Sequence, residues 1–137
     1  MRKTDLALRA LTRLSETGQL IHAADLAESI GSTRQFIPQV LSPLVRAAWV
    51  TSVPGPRGGY QLAVNLEQRS LLDVIELIEG PTDNGRCVLG GPCPADTSCV
   101  AHDAWTDARR ALLERLAATP VSTLGDKPEH EPRGERS

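Results

Sequence analysis

The first segment of the chain carries apolar residues at the spacing of one face of an α-helix. The pattern runs from Thr4 to Thr17 and predicts a helix that ends at Gly18. Thr4 is the expected N-cap, and Asp5 would lie in the first turn, where a carboxylate suits the helix dipole. The apolar positions of this helix are Leu6, Ala7, Ala10, Leu11 and Leu14.

Two further helical patterns follow, and Gly31 separates them. The first spans Ala24 to Ile30, and the second is expected to begin with Ser32 or Thr33 as its N-cap. Two helices joined by a glycine turn are typical of a helix-turn-helix, whose second helix enters the major groove of DNA. An ordinary helical hairpin has the same pattern. The apolar positions of the second helix are Phe36, Ile37, Val40, Leu41, Leu44 and Val45.

The next segment changes from helical to strand patterning. Residues 49–53 are mostly β-branched, PGPRGG forms a turn, and residues 60–64 predict a second strand. A helix-turn-helix followed by a β-hairpin is a winged helix. Arg57 and Gly58 lie at the hairpin tip, where an arginine can enter a minor groove, although a solvated turn arginine is the alternative. The residues expected to face phosphates or base edges near the second helix are Ser32, Thr33, Arg34 and Gln35.

Two more helical patterns occupy the second half of the chain. Ser70 is the expected cap of a helix over residues 71–79, which Gly80 ends. A longer helix is predicted from Cys99 to Ala118, and its apolar stripe requires a partner surface. The same helix of a second chain would supply that surface in a two-fold dimer. The stripe consists of Ala101, Trp105, Ala108, Leu112 and Leu116.

The predicted fold class is therefore mainly α with a small β-hairpin wing: a winged helix-turn-helix plus a long dimerisation helix. The charged, proline-rich end of the chain is expected to be disordered. The predicted parts are a DNA-binding domain (1–66), a connecting helix (67–80), a cluster-binding loop (81–99), a dimerisation helix (100–124) and a disordered tail (125–137).

All three cysteines lie after the helix over residues 71–79, and the third of them, Cys99, is at the start of the last predicted helix. Cys87, Cys93 and Cys99 are spaced at equal intervals of six, among glycines and prolines that oppose regular structure. Structural zinc usually takes closer pairs and four ligands, whereas an iron–sulfur cluster accepts a longer loop and one non-cysteine ligand. An odd number of cysteines argues against a disulfide framework, and three unrelated thiols are the remaining alternative. The pattern favours a metal centre, and iron–sulfur over zinc.

Composition adds a charge asymmetry. The 137-residue chain has a formal net charge of −2, but residues 1–60 hold seven basic and four acidic side chains. The excess of positive charge in residues 1–60 would allow this part of the chain to bind a polyanion. The apolar runs are shorter than a membrane span and the charged start MRKTD is unlike a signal peptide, so we expect a cytoplasmic protein without membrane attachment. The sequence offers no nucleophile–base pair, Walker loop or carboxylate pair, so we do not expect an enzyme.

The segments TDLALRAL, VPGPRGGYQLA and VIELIEG, followed by the cysteine loop, occur in the order typical of one family. Up to about Leu124 the chain resembles the Rrf2 family of bacterial winged-helix regulators. The resemblance implies a homodimeric transcription factor that binds a palindromic double-stranded DNA operator and carries one iron–sulfur cluster per subunit. Cys87, Cys93 and Cys99 match the cluster thiolates of those sensors.

The resemblance leaves the fourth cluster ligand open between two residues. Asp5, supported by Arg9, matches the aspartate that NsrR-type members supply from the partner subunit, which implies a [4Fe-4S] cluster. His102, three residues after Cys99, matches the histidine of IscR-type members, which implies a [2Fe-2S] cluster. A small molecule or water is the third option.

The function that this resemblance implies is a repressor whose operator binding is gated by the cluster, with nitric oxide as the signal. A regulator that senses iron, cluster or redox status is the first alternative, and a zinc-stabilised DNA-binding module without sensing is the second. Pro38 and Pro43 predict a bent second helix. Together with Ala48, which replaces the glycine usual in the family, they depart from its pattern and bear on operator recognition.

Overall fold

The computed structural model describes residues 2–81 and 100–126. The described part is mainly helical with one antiparallel hairpin, which confirms the predicted fold class. The three cysteines and the predicted disordered tail lie outside the described residues, apart from residues 125 and 126. The elements are α1 (Arg2–Thr17), α2 (Ala23–Ile30), α3 (Ile37–Arg46), β1 (Val50–Val53), β2 (Gly59–Leu62), α4 (Leu71–Glu79) and α5 (Val100–Ala117), with 3-10 turns at Leu66–Gln68 and Val121–Asp126.

Helix α1 lies at the centre of the core. Its apolar face is fully buried against α2, α3, α4 and β2, as its spacing predicted. Burying a leucine side chain contributes roughly 1.5–3 kcal/mol, so this face holds the other elements together. A displacement of α1 would therefore also displace the helix-turn-helix and the hairpin. The fully buried residues of this face are Ala7, Ala10, Leu11 and Leu14.

Thr4 does not cap α1, contrary to the sequence prediction. The helix begins at Arg2, so Thr4 lies inside it and is 3% exposed. Its hydroxyl donates a hydrogen bond of 2.8 Å to Oε1 of Glu79, the last residue of α4. A buried hydroxyl needs such a partner because leaving it unsatisfied costs about 1–3 kcal/mol. The bond fastens the start of α1 to the end of α4.

The helix-turn-helix forms as predicted, but its second helix begins later. Gly31 adopts a left-handed φ of 74° and ends α2. Helix α3 begins at Ile37, so neither Ser32 nor Thr33 caps it. A helix that began after Ser32 would place Pro38 in its interior, where a missing N–H and a steric clash are unfavourable. With the observed start, Pro38 lies in the first turn, where its missing N–H breaks no intrahelical bond.

The hairpin acquires a third backbone segment that the sequence did not predict. β1 pairs with β2 in a register that places Val53 opposite Gly59. Ile21 adds an isolated bridge on the other side of β2, where its N–H and carbonyl exchange hydrogen bonds of 2.9 Å with Tyr60. A Cβ at Gly59 would lie 2.2 Å from the carbonyl oxygen of Ile21. Glycine at position 59 is therefore what allows the hairpin to approach the segment before α2.

Helix α4 matches its prediction at both ends. Ser70 and Asp73 form a reciprocal capping box, with side-chain-to-backbone distances of 3.1 and 2.9 Å. Helix α5 ends at Ala117, and the chain then turns back so that Val121 is completely buried in the core. On α5 itself, Trp105 and Leu112 are 41% and 58% exposed. None of the helices in the described ranges combines the length and apolar character that a bilayer span requires.

Ala48 connects α3 to β1 with a φ of 61°, in the left-handed region. This conformation costs an alanine about 1–2 kcal/mol, whereas glycine adopts it freely. We expect Ala48→Gly to raise the free energy of unfolding by about 0.5–1 kcal/mol, because the relief of strain exceeds the added entropy of the unfolded chain. Urea denaturation followed by circular dichroism would measure this change. Ala63→Gly, at an exposed position outside the left-handed region, is the control and should not stabilise the protein.

Candidate nucleic-acid interface

The exposed face of α3 is polar and lies opposite its buried face. Gln39, Ser42 and Arg46 are exposed and follow one another at intervals of three and four residues. This spacing places them along one side of the helix, where the second helix of a helix-turn-helix presents side chains to the major groove. These three residues were not among the predicted DNA contacts, although their polar periodicity, complementary to the apolar one, could have identified them.

The residues predicted to contact DNA around the helix-turn-helix lie just before α3. Thr33, Arg34 and Gln35 are exposed and Ser32 is half-buried, in the turn that follows Gly31. The N–H of Phe36 donates to the carbonyl of Thr33 at 3.1 Å, so this turn is hydrogen-bonded. The structure thus places these side chains at the N-terminal end of α3 rather than within its first turn.

The hairpin tip presents Arg57 and buries Gly58. The side chain of Arg57 is exposed, whereas a Cβ at Gly58 would lie 1.9 Å from the carbonyl oxygen of Val53. The N–H of Gly58 closes the tip by donating to the carbonyl of Gly55 at 2.9 Å. The predicted site residue Gly58 therefore shapes the tip, and its neighbour Arg57 is the side chain available for contact.

A groove of about 350 Å³ separates the hairpin tip from the start of α2. Arg34 borders it from the helix-turn-helix side. The fold therefore brings the positive charge of the turn before α3 and the hairpin tip to one surface depression. Its wall includes His22, Ser52, Pro54, Pro56 and Gly58.

His22, the residue that precedes α2, contacts the wing. Its Nδ1 lies 2.5 Å from the carbonyl oxygen of Gly58. Since a carbonyl can only accept, Nδ1 must carry the proton and donate it. Beside this contact, burial raises the pKa of the Tyr60 hydroxyl above its usual value of 10.0. No pattern in the sequence signalled that His22 reaches the wing, because the contact spans 36 residues.

The candidate non-cysteine ligands lie on different helices. Asp5 is on α1 with a side chain 57% exposed, and Nε of Arg9 donates to its Oδ1 at 3.1 Å. His102 is half-buried near the start of α5. Residues 2–81 and 100–126 contain no group of three acidic, histidine or cysteine side chains that could hold a metal. The exposed carboxylate of Asp5 fits an oxygen ligand for a cluster held mainly by thiolates from elsewhere, and Cys87, Cys93 and Cys99 lie outside the described residues.

Comparisons with known proteins agree on one family of transcriptional regulators. A family model described as "Rrf2: Iron-dependent Transcriptional regulator" matches residues 1–127. An HTH-type transcriptional regulator of Azotobacter vinelandii is 31% identical over 120 residues, covering 88% of this chain and 70% of that protein. The HTH-type transcriptional regulator IscR of Vibrio cholerae is 34% identical over 93 residues, covering 68% of this chain. The match spans 54% of that IscR, little more than half of its length.

Solved structures share the fold. The global cysteine regulator CymR of B. subtilis superposes with a TM-score of 0.78, covering 94% of this chain and 97% of CymR. The two sequences are 22% identical, so this likeness concerns the architecture.

Proposed function

The chain belongs to the Rrf2 family of DNA-binding transcriptional regulators, and we propose that it is a repressor whose operator binding is gated by an iron–sulfur cluster. Membership of a family of regulators agrees with the expectation that the chain is not an enzyme. The observation that carries the proposal is the winged helix itself: a polar α3 face and an exposed Arg57 at the wing tip. Both surfaces are suited to the grooves of duplex DNA.

The operator is proposed to be palindromic because the protein is proposed to be a homodimer. Trp105 and Leu112 are large apolar side chains that remain exposed on α5, where a second copy of the helix can cover them. A two-fold dimer presents two identical winged helices and therefore matches a two-fold symmetric duplex.

The cluster is proposed to be held by the thiolates of Cys87, Cys93 and Cys99. Asp5 of the partner subunit is the preferred fourth ligand, with a [4Fe-4S] cluster, and His102 with a [2Fe-2S] cluster is the alternative. Bound there, the cluster would supply iron atoms open to nitric oxide and oxidants, and its occupancy would depend on the supply of iron. The carboxylate is the weakest donor of the proposed set, since soft thiolates suit iron–sulfur clusters better.

The proposed gating passes through α1. Asp5 either pairs with Arg9, as it does at 3.1 Å in the described chain, or binds the cluster of the other subunit. The hydroxyl of Thr4, the residue before Asp5, donates a hydrogen bond to Glu79. Helix α1 also packs against α2, α3 and β2. A change of partner at Asp5 can therefore shift both DNA-contacting elements. The state that holds Asp5 at the cluster is proposed to fix the two winged helices at operator spacing.

Nitric oxide is the proposed signal. Iron, cluster or redox status is the second candidate, and the description of the family as iron-dependent favours it. A zinc-stabilised module without sensing would need neither iron nor sulfide.

Anaerobic gel-shift titrations distinguish these candidates. The duplex would be one that the wild-type, iron-loaded protein selects from a random library. We expect nitric oxide to release the protein from this duplex, because the cluster no longer holds Asp5. Release by an iron chelator, with no response to nitric oxide, would favour the iron-sensing alternative. Equal binding by the loaded and the iron-stripped protein would contradict gating altogether, and one zinc without sulfide would support the zinc module.

A further inference from the structure

We propose that His22 is a positioning residue for the wing, which holds Arg57 where it can enter the minor groove. The inference rests on the proposed operator binding and adds a residue outside the helix-turn-helix to the machinery of DNA recognition. His22 acts through the backbone of Gly58, the residue that follows Arg57, by the 2.5 Å contact between Nδ1 and the Gly58 carbonyl.

The side chain of His22 does not serve the helix that it precedes. His22 occupies the N-cap position of α2 with an extended backbone (φ −65°, ψ 147°), yet it makes no side-chain capping hydrogen bond. Serine, threonine, aspartate and asparagine are the residues that stabilise this position. A histidine here is explained by its Nδ1–H, which reaches the Gly58 carbonyl across the groove: an aspartate has no donor, and the hydroxyls of serine and threonine end one atom earlier.

The wing requires such a support because a two-stranded hairpin is marginally stable by itself. The backbone bridge between Ile21 and Tyr60 fixes the base of the hairpin. The tip is closed by the Gly58 N–H bond to Gly55, which holds the turn together without attaching it to the rest of the protein. The bond from His22 is the described contact that ties the residue beside Arg57 to the helix-turn-helix.

The same bond sets one wall of the groove that Arg34 borders. Arg34 and Arg57 would contact one duplex from two sides, so the separation of their backbones decides whether both can bind together. Fixing a flexible element in its bound geometry increases affinity by reducing the entropy lost on binding. His22 thus contributes to affinity without needing to touch DNA.

Two forms of the His22 imidazole can donate to the Gly58 carbonyl, the neutral Nδ1–H tautomer and the imidazolium, because both carry a proton on Nδ1. An asparagine Nδ2 is an amide donor at an equivalent distance along the side chain. Serine is a favourable N-cap residue but is too short to reach Gly58, so it preserves the start of α2 while removing the bond. His22→Asn and His22→Ser are therefore a matched pair.

The test is a double-mutant cycle in the full-length protein, with the labelled duplex selected by the wild type as the probe. We expect His22→Ser to weaken binding about tenfold and His22→Asn to restore most of it, as for loss and recovery of one ordering hydrogen bond. In an Arg57→Ala background, His22→Ser should change the affinity by less than about twofold, because the side chain that it positions is gone. Thermal unfolding of both His22 variants checks that α2 remains folded.

Two results would overturn the inference. The first is that the His22→Ser variant binds the duplex as tightly as the wild-type protein does. The other is an equal loss from His22→Ser with and without Arg57, which would assign His22 an effect independent of the wing tip. A wild-type chain that selects no duplex would instead overturn the proposed operator binding, and the inference with it.

Discussion

Replacing Gly59 by alanine is expected to lower the free energy of unfolding by about 2–4 kcal/mol and to abolish measurable operator binding. The new Cβ would lie 2.2 Å from the carbonyl oxygen of Ile21 and 3.0 Å from Cα of His22. Both are backbone atoms, so no side-chain rotation can relieve the overlap. The hairpin must move away, which breaks the two 2.9 Å bonds between Ile21 and Tyr60.

Operator binding is lost with them because the wing loses its attachment to the helix-turn-helix. Urea denaturation and gel shift on the same Gly59→Ala sample measure the two effects. Gly125→Ala is the matched control, since a Cβ there meets nothing within 4 Å and the backbone is not in the left-handed region. If the two variants had similar stability and similar affinity for DNA, the packing of the wing against Ile21 would not be needed for either.

Replacing any one of Cys87, Cys93 and Cys99 by alanine is expected to remove bound iron and sulfide from the anaerobically purified protein. Each thiolate is proposed to bind one iron, and a carboxylate suits an iron–sulfur cluster less well than the missing thiolate would. Loss of the iron–sulfur charge-transfer absorbance, with iron and sulfide counts near zero, would show this. The winged helix should remain folded, because the core described for it already joins α1–α4, β1 and Val121.

Variants of the fourth ligand complete this experiment. Asp5→Ala should alter the spectrum and speed the loss of cluster if the aspartate is the ligand, whereas His102→Ala should do so if the histidine is. Asp25→Ala, which removes an exposed carboxylate from the first turn of α2, is the control. Full iron and sulfide in every single-cysteine variant would refute the proposed cluster site.

The local elements of this fold could be predicted because their signals lie within a few residues of each other. Ser70 and Asp73 of the α4 capping box are three positions apart, and Ser70 alone predicted the start of α4 correctly. Gly31 ended α2 as predicted, because a left-handed residue after a helix is decided by the local backbone. The wing was likewise recognisable from a β-branched segment and the glycine-rich turn around Arg57.

Most of the incorrect or missing predictions depend on partners distant in the chain. Thr4 is a good N-cap by local preference, but its hydroxyl bonds Glu79, 75 residues away. The start of α3 is an exception, because the nearby Pro38 outweighed the capping preference of Ser32 and Thr33. The buried return of Val121 after α5 had no counterpart in the pattern, since one apolar residue has no periodicity.

The features of the candidate site likewise divide into those set by local sequence and those set by contacts distant in the chain. The sequence by itself identified the exposed Arg57 at the tip and the polar turn around Arg34, because turn chemistry and charge are local properties. Only the tertiary structure placed Arg34 on the groove beside the hairpin tip and joined His22 to Gly58, since both results require the hairpin to fold back onto the start of α2. The packing of the hairpin against the start of α2 depends on steric fit between backbone segments that are far apart in the chain. No pattern within either segment predicts it.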